Sequence, residues 1–281
     1  MKVYRTDEIR NVVLLGHGGS GKTSLAEAMA YVSGATNRMG KITDGNTISD
    51  FDKEEQKREF SISTSLVPIE WEKAKINILD TPGYFDFVGE VEEAVSAADA
   101  AVIVVSGKAG VEVGTEKAWE LCEEYNLPRL FFVTNMDDDQ ASFRELILKL
   151  EKQFGRKIAP FQVPIRENEK FVGFVNAVKM EGRRFTHLSE YEKCEIPEYT
   201  KKNLGIIRDA LIEAVAEFNN ELLEKYIEGA EITEVEVAAA LIEGIQAGKG
   251  YGVFAGLDVQ VEAWESSARV SAPKKPEGLM S

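Results

Sequence analysis

The amino-acid sequence predicts an α/β fold, a mostly parallel sheet with helices on both faces, together with an α+β insert subdomain. Three observations support this prediction. Strand-sized apolar segments alternate with helix-sized segments through the first half of the chain. Residues 101–105 are continuously apolar, as expected of a parallel strand buried on both faces. The alternation ends near residue 158, where short strand-like segments and then a helical region begin.

The elements follow one another in a simple order. The first half has predicted strands over residues 10–15, 75–79, 101–105 and 129–133, and predicted helices over residues 22–33, 85–98, 114–125 and 141–154. The second half has predicted strands over residues 160–163 and 171–176 around a polar turn at 166–169. Beyond Pro197 the spacing is helical, and Thr233 with Glu236 has the pattern of a capping box. We therefore predict a core (1–157), an insert (158–249), and the end of the core with an atypical tail (250–281).

Composition and charge narrow the class of protein. The 281 residues are 44% hydrophobic and carry a formal net charge of −15. Such an acidic chain is a poor electrostatic partner for nucleic acid, so no direct sequence-specific nucleic-acid binding is expected. No apolar run approaches the roughly 20 residues of a membrane span, and the first residues have no signal-peptide pattern. Cys122 and Cys194 lie far apart in the sequence, which suits a reducing compartment, and we expect a cytoplasmic location.

A glycine-rich motif follows the first predicted strand and opens the first predicted helix. It matches the phosphate-binding pattern G-x-x-x-x-G-K-[ST], and this context disfavours an ordinary glycine turn. Glycines allow successive N–H groups to turn toward an anion, and the helix N-terminus adds its dipole. The lysine would neutralise phosphate charge, and the threonine hydroxyl would coordinate Mg²⁺. The residues assigned to nucleotide binding here are Gly16, His17, Gly18, Gly19, Ser20, Gly21, Lys22, Thr23 and Ser24.

A second motif, Asp80-Thr81-Pro82-Gly83, directly follows the strand at 75–79. The pattern D-x-x-G alone carries little weight, because chance produces it often and a plain Thr-Pro-Gly turn explains it. Its position is informative, since an Asp at the carboxyl end of a neighbouring strand can reach the Mg²⁺ shell. Gly83 would then offer its N–H to the terminal phosphate. Together the two motifs indicate a nucleoside triphosphatase or a nucleotide-dependent switch.

The segment Asp80-Thr81-Pro82-Gly83-Tyr84-Phe85-Asp86-Phe87 resembles the D-T-P-G-H-V-D-F segment of elongation factor G and its relatives. Residues 50–62 resemble the first switch of that family, and residues 171–180 and 221–226 resemble its insert. The likeness covers about residues 8–250 and is greatest to a divergent branch of elongation factor G-like proteins. It implies a P-loop GTPase fold, binding of GTP, GDP and Mg²⁺, and stimulation by the ribosome. It also implies that residues 41–65 are ordered by Mg²⁺–GTP and released on hydrolysis.

Three positions in the phosphate-binding, switch and D-x-x-G segments depart from the family pattern. Tyr84 stands where the family has the His that orients the attacking water, and a phenol is a poor proton acceptor at neutral pH. Ser61 replaces the switch Thr, and Gly19 replaces a P-loop Asp. The resemblance still assigns Tyr84, Lys22 and Gly83 to catalysis, and Thr23, Ser61 and Asp80 to the metal. The main alternative is a nucleotide-binding module with little or no hydrolysis, which Tyr84 favours.

Guanine recognition in this family uses N-K-x-D after a strand, and here the strand at 129–133 is followed by Thr134-Asn135-Met136-Asp137-Asp138. The family register assigns residues 134–137 to the nucleotide, with Asp137 on the guanine donors. A rival register uses Asn135 and Asp138, and a further alternative is an acidic loop cap without a ligand. Leu257-Asp258 stands where the family has a Ser-Ala. An ATPase is ranked lower, because Asp137 and the family likeness indicate guanine.

Overall fold

The computed structural model describes residues 2–155, 158–167, 170–187, 190–216, 219–230, 232–246 and 251–255. The strands are β1 (Ile9–Leu15), β2 (Ser65–Trp71), β3 (Ala74–Asp80), β4 (Ala100–Ser106), β5 (Arg129–Thr134), β6 (Ile158–Pro160), β7 (Gln162–Glu167), β8 (Lys170–Asn176), β9 (Glu181–His187), β10 (Glu190–Cys194) and β11 (Tyr251–Ala255). The helices are α1 (Lys22–Val32), α2 (Lys53–Arg58), α3 (Val88–Ala97), α4 (Val113–Glu124), α5 (Phe143–Phe154), α6 (Glu198–Ala216), α7 (Asn220–Ile227) and α8 (Glu234–Gln246).

The core of the molecule is a seven-stranded sheet in the order β2-β3-β1-β4-β5-β11-β6. All neighbouring pairs are parallel except β2 with β3, so the predicted α/β fold with a mostly parallel sheet is confirmed. The sequence analysis does not predict β2. This strand lies at the sheet edge and alternates buried residues such as Val67 and Ile69 with exposed ones such as Leu66. Pro68 is tolerated there because an edge strand leaves some N–H groups unpaired.

Helices cover both faces of this sheet. Successive residues of β1 point to opposite faces: Val12 and Leu14 pack with α1, whereas Val13 and Leu15 pack with α3, α4 and α5. These side chains are at most 1% exposed, and full burial of each contributes about 1.5–3 kcal/mol. Because the strands are parallel, the carboxyl ends of β1, β3, β4 and β5 all lie along the same side of the sheet. Both predicted motifs directly follow such strand ends, so they lie together on that side.

The insert contains a four-stranded antiparallel sheet, in the order β10-β9-β8-β7, and the helices α6, α7 and α8. Its apolar core joins β7, β8 and the three helices, and the predicted capping box is confirmed, since Glu236 N–H donates to Thr233 Oγ1. The start of the insert differs from the prediction. Ile158–Pro160 forms β6, which pairs with β11 in the core sheet, so the chain leaves that sheet only after Pro160.

Several predictions fall on parts of the chain outside the described residues. These are the turn at 168–169, residues 156–157 and 247–250 beside the proposed domain limits, and everything from residue 256 onward, including Leu257-Asp258. Within the described ranges no helix is long and apolar enough to cross a membrane.

Candidate nucleotide-binding site

The loop between β1 and α1 has a backbone that requires glycine at several positions. Gly16, Gly19 and Gly21 have φ angles of +140°, +81° and +93°, which side chains rarely tolerate. At Gly16 a Cβ would also lie only 2.3 Å from the carbonyl oxygen of Val104. The glycines of the motif are therefore needed for the path of the loop itself. This loop curls around the first turn of α1.

Lys22, the first residue of α1, is buried inside the loop. Its Nζ donates to the carbonyl oxygens of Gly16 and His17, both at 3.0 Å. Burial lowers the pKa of Lys22 to about 8, and the nearby carboxylates of Asp80 and Asp50 oppose that shift. The side chain is therefore mostly protonated at neutral pH and provides a positive charge next to the N–H groups of the loop.

Four oxygen-bearing side chains meet beside Lys22. Thr23 Oγ1 donates to Asp80 Oδ2 at 2.8 Å and lies 3.1 Å from Ser61 Oγ, which donates to Asp50 Oδ1 at 2.7 Å. The structure thus brings together all three predicted metal residues and adds Asp50, which the sequence analysis does not assign. Hydroxyl and carboxylate oxygens are the ligands that Mg²⁺ prefers, so this donor set fits that ion.

The two carboxylates of this cluster, Asp80 and Asp50, both have raised pKa values. Burial raises the pKa of Asp80 to about 6, although the Ser49 and Thr23 hydroxyls and the Lys22 charge act in the opposite direction. Burial also raises the pKa of Asp50. Asp80 Oδ1 is buried and accepts no hydrogen bond of regular geometry from the described residues, although the Ser49 hydroxyl is near enough to affect the pKa. A divalent cation would supply the missing counter-charge.

Asp80→Asn is expected to stabilise the metal-free protein in a pH-dependent way. The pKa of Asp80 is about 6 in the folded chain and 3.8 when unperturbed, so the folded state binds more protons between pH 4 and pH 6. The free energy of unfolding of the wild type therefore falls as pH rises through that window. The Asn side chain of the variant does not titrate, so the variant does not lose this stability. The stability advantage of the variant should grow from near zero at pH 4 to at most ~3 kcal/mol at pH 7.

Urea unfolding at several pH values in chelator-treated buffer measures this difference. Asp86→Asn, on an exposed carboxylate of the adjacent loop, is the matched control and should show no such trend. An Asp80→Asn advantage that stays constant from pH 4 to pH 7 would contradict the buried-carboxylate explanation.

One buried carboxylate joins residues 40–63 to α1, and a second holds two parts of this segment together; the segment contains the switch-like residues 50–62. Glu27 of α1 is 2% exposed and accepts hydrogen bonds from the N–H groups of Gly40, at 2.7 Å, and Ile48. Glu55 of α2 accepts from the N–H groups of Ile62 and Ser63, at 2.9 and 3.1 Å. These contacts hold Ser61 against the metal-type cluster. The sequence analysis assigns a role to neither glutamate, because a Glu on a helix is ordinarily a solvated side chain.

Gly83 and Tyr84 face the glycine-rich loop from the end of β3. A Cβ on Gly83 would lie 2.6 Å from both Gly18 N and Lys22 Nζ, so only glycine fits there. The Tyr84 side chain is 44% exposed, its ring lies against Gly18, and its centroid is 4.7 Å from that of Phe60. The ring therefore lies between the glycine-rich loop and the switch segment.

The remaining predicted loop residues have mainly structural contacts. His17 Nδ1 accepts a hydrogen bond from the N–H of Gly114 at 3.3 Å, which ties the loop to α4. Thr81 Oγ1 donates to the Leu14 carbonyl oxygen at 2.6 Å, and Ser20 is 1% exposed. Pro82 is buried and Ser24 is partly buried. For His17 and Ser20, it is therefore the backbone groups, and not the side chains, that are suited to contact with phosphate.

The loop after β5, residues 134–141, lies beside the glycine-rich loop. Thr134 Oγ1 donates to the Ser20 carbonyl oxygen at 2.7 Å and so joins the two loops. Asn135 Oδ1 accepts from Ser106 Oγ at 3.0 Å. Met136 is 1% exposed and packs in the core, so any contact with a nucleotide would use its backbone. The structure therefore places residues 134–136 as supports of the loop.

Two of the three aspartates of this loop, Asp137 and Asp138, are candidates for base recognition, and they differ in their surroundings. Asp138 pairs with Lys108 at 2.8 Å and accepts the Gln140 N–H at 2.9 Å, and the hydrogen bond from Lys108 is the main reason that its pKa is lowered. The Asp137 carboxylate is exposed and forms no hydrogen bond or ion pair with the described residues. A polar cavity of about 490 Å³ lies here, lined by Lys108, Asn135, Asp137, Asp138, Asp139 and Gln140. The Asp137 carboxylate, which the family register assigns to guanine, is therefore accessible to a ligand in this cavity, whereas the Asp138 carboxylate is already paired.

Comparison with known proteins identifies the family of the chain. Residues 7–259 match the model of the elongation factor Tu GTP binding domain. The chain belongs to this family. The predicted resemblance to elongation factor G is confirmed: the chain is 35% identical to elongation factor G of Thermotoga petrophila over 237 residues, which is 84% of the chain and 34% of that protein. It is 33% identical to elongation factor G of Thermotoga maritima over 252 residues, 89% of the chain and 36% of that protein.

A solved structure supports the fold assignment within the family. The crystal structure of ttk003000868 from Thermus thermophilus superposes with a TM-score of 0.87 at 34% identity. The match covers 96% of this chain and 41% of that one. The predicted P-loop GTPase fold is therefore confirmed. The chain spans about a third of the length of the elongation factors G that it matches.

Proposed function

We propose that this chain is the GTP-binding and GTP-hydrolysing domain of an elongation factor G-like translation factor. The observation that carries the proposal is the joint position of Lys22 and the Thr23–Asp80–Ser61 oxygen cluster, next to a loop that presents Asp137. The family match supports GTP as the nucleotide. A phosphate site, a metal-type site and a base-type site at one sheet edge are the parts that a GTPase needs.

In this proposal the phosphates lie on the N–H groups of residues 18–23, at the N-terminus of α1. Lys22 neutralises phosphate charge, and Gly83 offers its N–H to the terminal phosphate. Thr23, Ser61 and Asp80 would hold Mg²⁺, which when bound offsets the charge of the β- and γ-phosphates. Ser61 links that cluster to the switch segment. Loss of the terminal phosphate would therefore weaken the attachment of residues 41–65, and the segment would switch conformation.

For the hydrolysis step, the chain has Tyr84 where the family has a catalytic His. Tyr84 lies between the glycine-rich loop and Phe60, where a side chain could hold an attacking water by hydrogen bonding. A phenol accepts a proton poorly at neutral pH, so the intrinsic reaction should be slow. The same observation favours the second candidate, a nucleotide-binding module with little or no hydrolysis. Stimulation by the ribosome, and with it a cytoplasmic site of action, is proposed from the likeness to elongation factor G.

Single-turnover hydrolysis of GTP, with and without ribosomes, tests the proposal. We expect slow hydrolysis that ribosomes accelerate and that Lys22→Ala abolishes. Saturable GTP binding with no hydrolysis under either condition would instead support the binding module.

Tyr84→His is expected to raise the single-turnover rate about tenfold or more, because imidazole is a far better proton acceptor near pH 7. Tyr125→His, at an equally exposed tyrosine at the end of α4, is the matched control and should leave the rate unchanged. An unchanged rate in Tyr84→His would remove position 84 from the catalytic site.

A further inference from the structure

The far half of the loop at 134–141 is held by a residue of the insert. Arg166, in β7, donates from Nη1 to the Ala141 carbonyl oxygen at 2.7 Å and from Nη2 to the Asp138 carbonyl oxygen at 2.8 Å. The partners are 25 and 28 residues apart in sequence. One guanidinium thus bridges two carbonyl groups of the loop that carries Asp137, and its planar fork fixes their separation.

The insert holds Arg166 in the position that this contact needs. The pairing of β7 with β8 shifts register between Ile165 and Arg166, a local irregularity of the kind that redirects a side chain. Tyr199 of α6 secures the same residue. Its hydroxyl accepts the Arg166 N–H at 3.1 Å and donates to the Arg166 carbonyl oxygen. Both the backbone and the direction of the side chain are therefore set by the insert.

The charge of Arg166 also acts on the loop. It contributes to the lowered pKa of Asp138, for which the hydrogen bonds from Lys108 and from the Gln140 N–H are larger causes. Asp138 is therefore held through its backbone by Arg166 and through its side chain by Lys108. Asp137, the preceding residue, lines the polar cavity directly beside this anchored part of the backbone.

We propose that Arg166 is a positioning residue for base recognition, through which the insert fixes the Asp137 carboxylate in the geometry that selects guanine. This rests on the proposed function, since it takes the ligand of the cavity to be a guanine base. Arg166 itself does not touch the ligand. Its loss leaves the phosphate site intact and loosens only the base site, so the effect falls on the discrimination between bases.

Equilibrium binding of GDP, IDP and inorganic pyrophosphate tests the proposal. IDP lacks the exocyclic amino group of guanine, and pyrophosphate reports on the phosphate site alone. In Arg166→Ala we expect the Kd for GDP to rise about tenfold, the Kd for IDP to rise less than about threefold, and the Kd for pyrophosphate to stay unchanged. Arg144→Ala is the matched control: this exposed arginine of α5 lines, with Arg166, the pocket between α5, β7 and α6, and its removal should change none of the three Kd values.

Two further variants separate positioning from general damage. Arg166→Lys keeps the charge but not the fork, so its GDP-to-IDP preference should lie between those of wild type and Arg166→Ala. If Arg166→Ala does not fold, the GDP-to-IDP preference of Arg166→Lys tests the positioning role instead. In an Asp137→Ala background, Arg166→Ala should have no further effect on the preference.

An unchanged GDP-to-IDP preference in Arg166→Ala, whether all three affinities stay the same or all fall equally, overturns the positioning role and leaves the proposed function standing. Failure of the wild-type chain to bind GDP at all overturns the proposed function and the positioning role together.

Discussion

Lys22→Ala is expected to weaken binding of GDP and GTP by about a hundredfold or more, the largest effect of any single substitution considered for this chain. The lysine ammonium is buried within the loop and is next to the N–H groups that would surround the phosphates. A charge in such a site is screened little by water, so its removal costs more than that of a surface lysine. Fluorescence titration with labelled GDP in magnesium buffer measures the loss.

The pH dependence of the wild-type affinity should identify the same group. The pKa of Lys22 is about 8 in the free protein, and a bound phosphate would raise it. The contribution of Lys22 to the affinity should therefore be constant below pH 8 and fall by up to about tenfold per pH unit above it, because deprotonated lysine must gain a proton before binding. Lys22→Met should bind weakly at every pH, without this slope.

Lys73→Ala is the control for charge alone, since this exposed lysine lies in the turn between β2 and β3. It should change neither the affinity nor its pH dependence. Tight GDP binding by Lys22→Ala would mean that the glycine-rich loop does not hold the phosphates, and the proposed function would then have to be abandoned.

The parts of this site that could be predicted are those encoded by a local pattern. Gly16, Gly19 and Gly21 mark a loop that needs positive φ angles, and that requirement is visible in the sequence because other residues rarely meet it. Asp80 was found in the same way, from its place at the end of an apolar strand. Strand β2 was not predicted, although Val67 and Ile69 alternate with exposed residues, because an edge strand buries only one face.

The parts that could not be predicted depend on contacts between distant segments. Glu27 reaches the N–H of Gly40, and Arg166 reaches the loop at 134–141, but neither residue belongs to a motif. A lone Glu on a helix or an Arg in a strand is ordinarily a solvated side chain, so no signal in the sequence alone distinguishes these two. The same limit applies to β6, whose three residues become a strand only because β11 returns beside them.

Asp137→Ala and Asp138→Ala together decide which aspartate recognises the base, and their effects should differ strongly. Asp137→Ala removes an exposed carboxylate that forms no hydrogen bond or ion pair with the described residues, so its effect on nucleotide affinity reports the ligand directly. We expect the Kd for GDP to rise about 30- to 100-fold, because the two guanine donors lose a charged acceptor. The Kd for IDP, which has one donor fewer, should rise less.

Asp138→Ala should have a smaller and less selective effect, below about fivefold, because its carboxylate is already occupied by Lys108 and the Gln140 N–H. Titration of both variants with GDP, IDP and ADP measures the selectivity as well as the affinity. The reverse order, with Asp138→Ala the more selective loss, would establish the rival register with Asn135. If both variants bind GDP as tightly as the wild type does, the aspartates form an acidic loop cap and not a base site. Asp138→Ala removes the ion pair with Lys108 but keeps the backbone carbonyl group to which Arg166 donates. The loop should therefore stay in place in this variant, and a large Asp137 effect with a small Asp138 effect requires that it does.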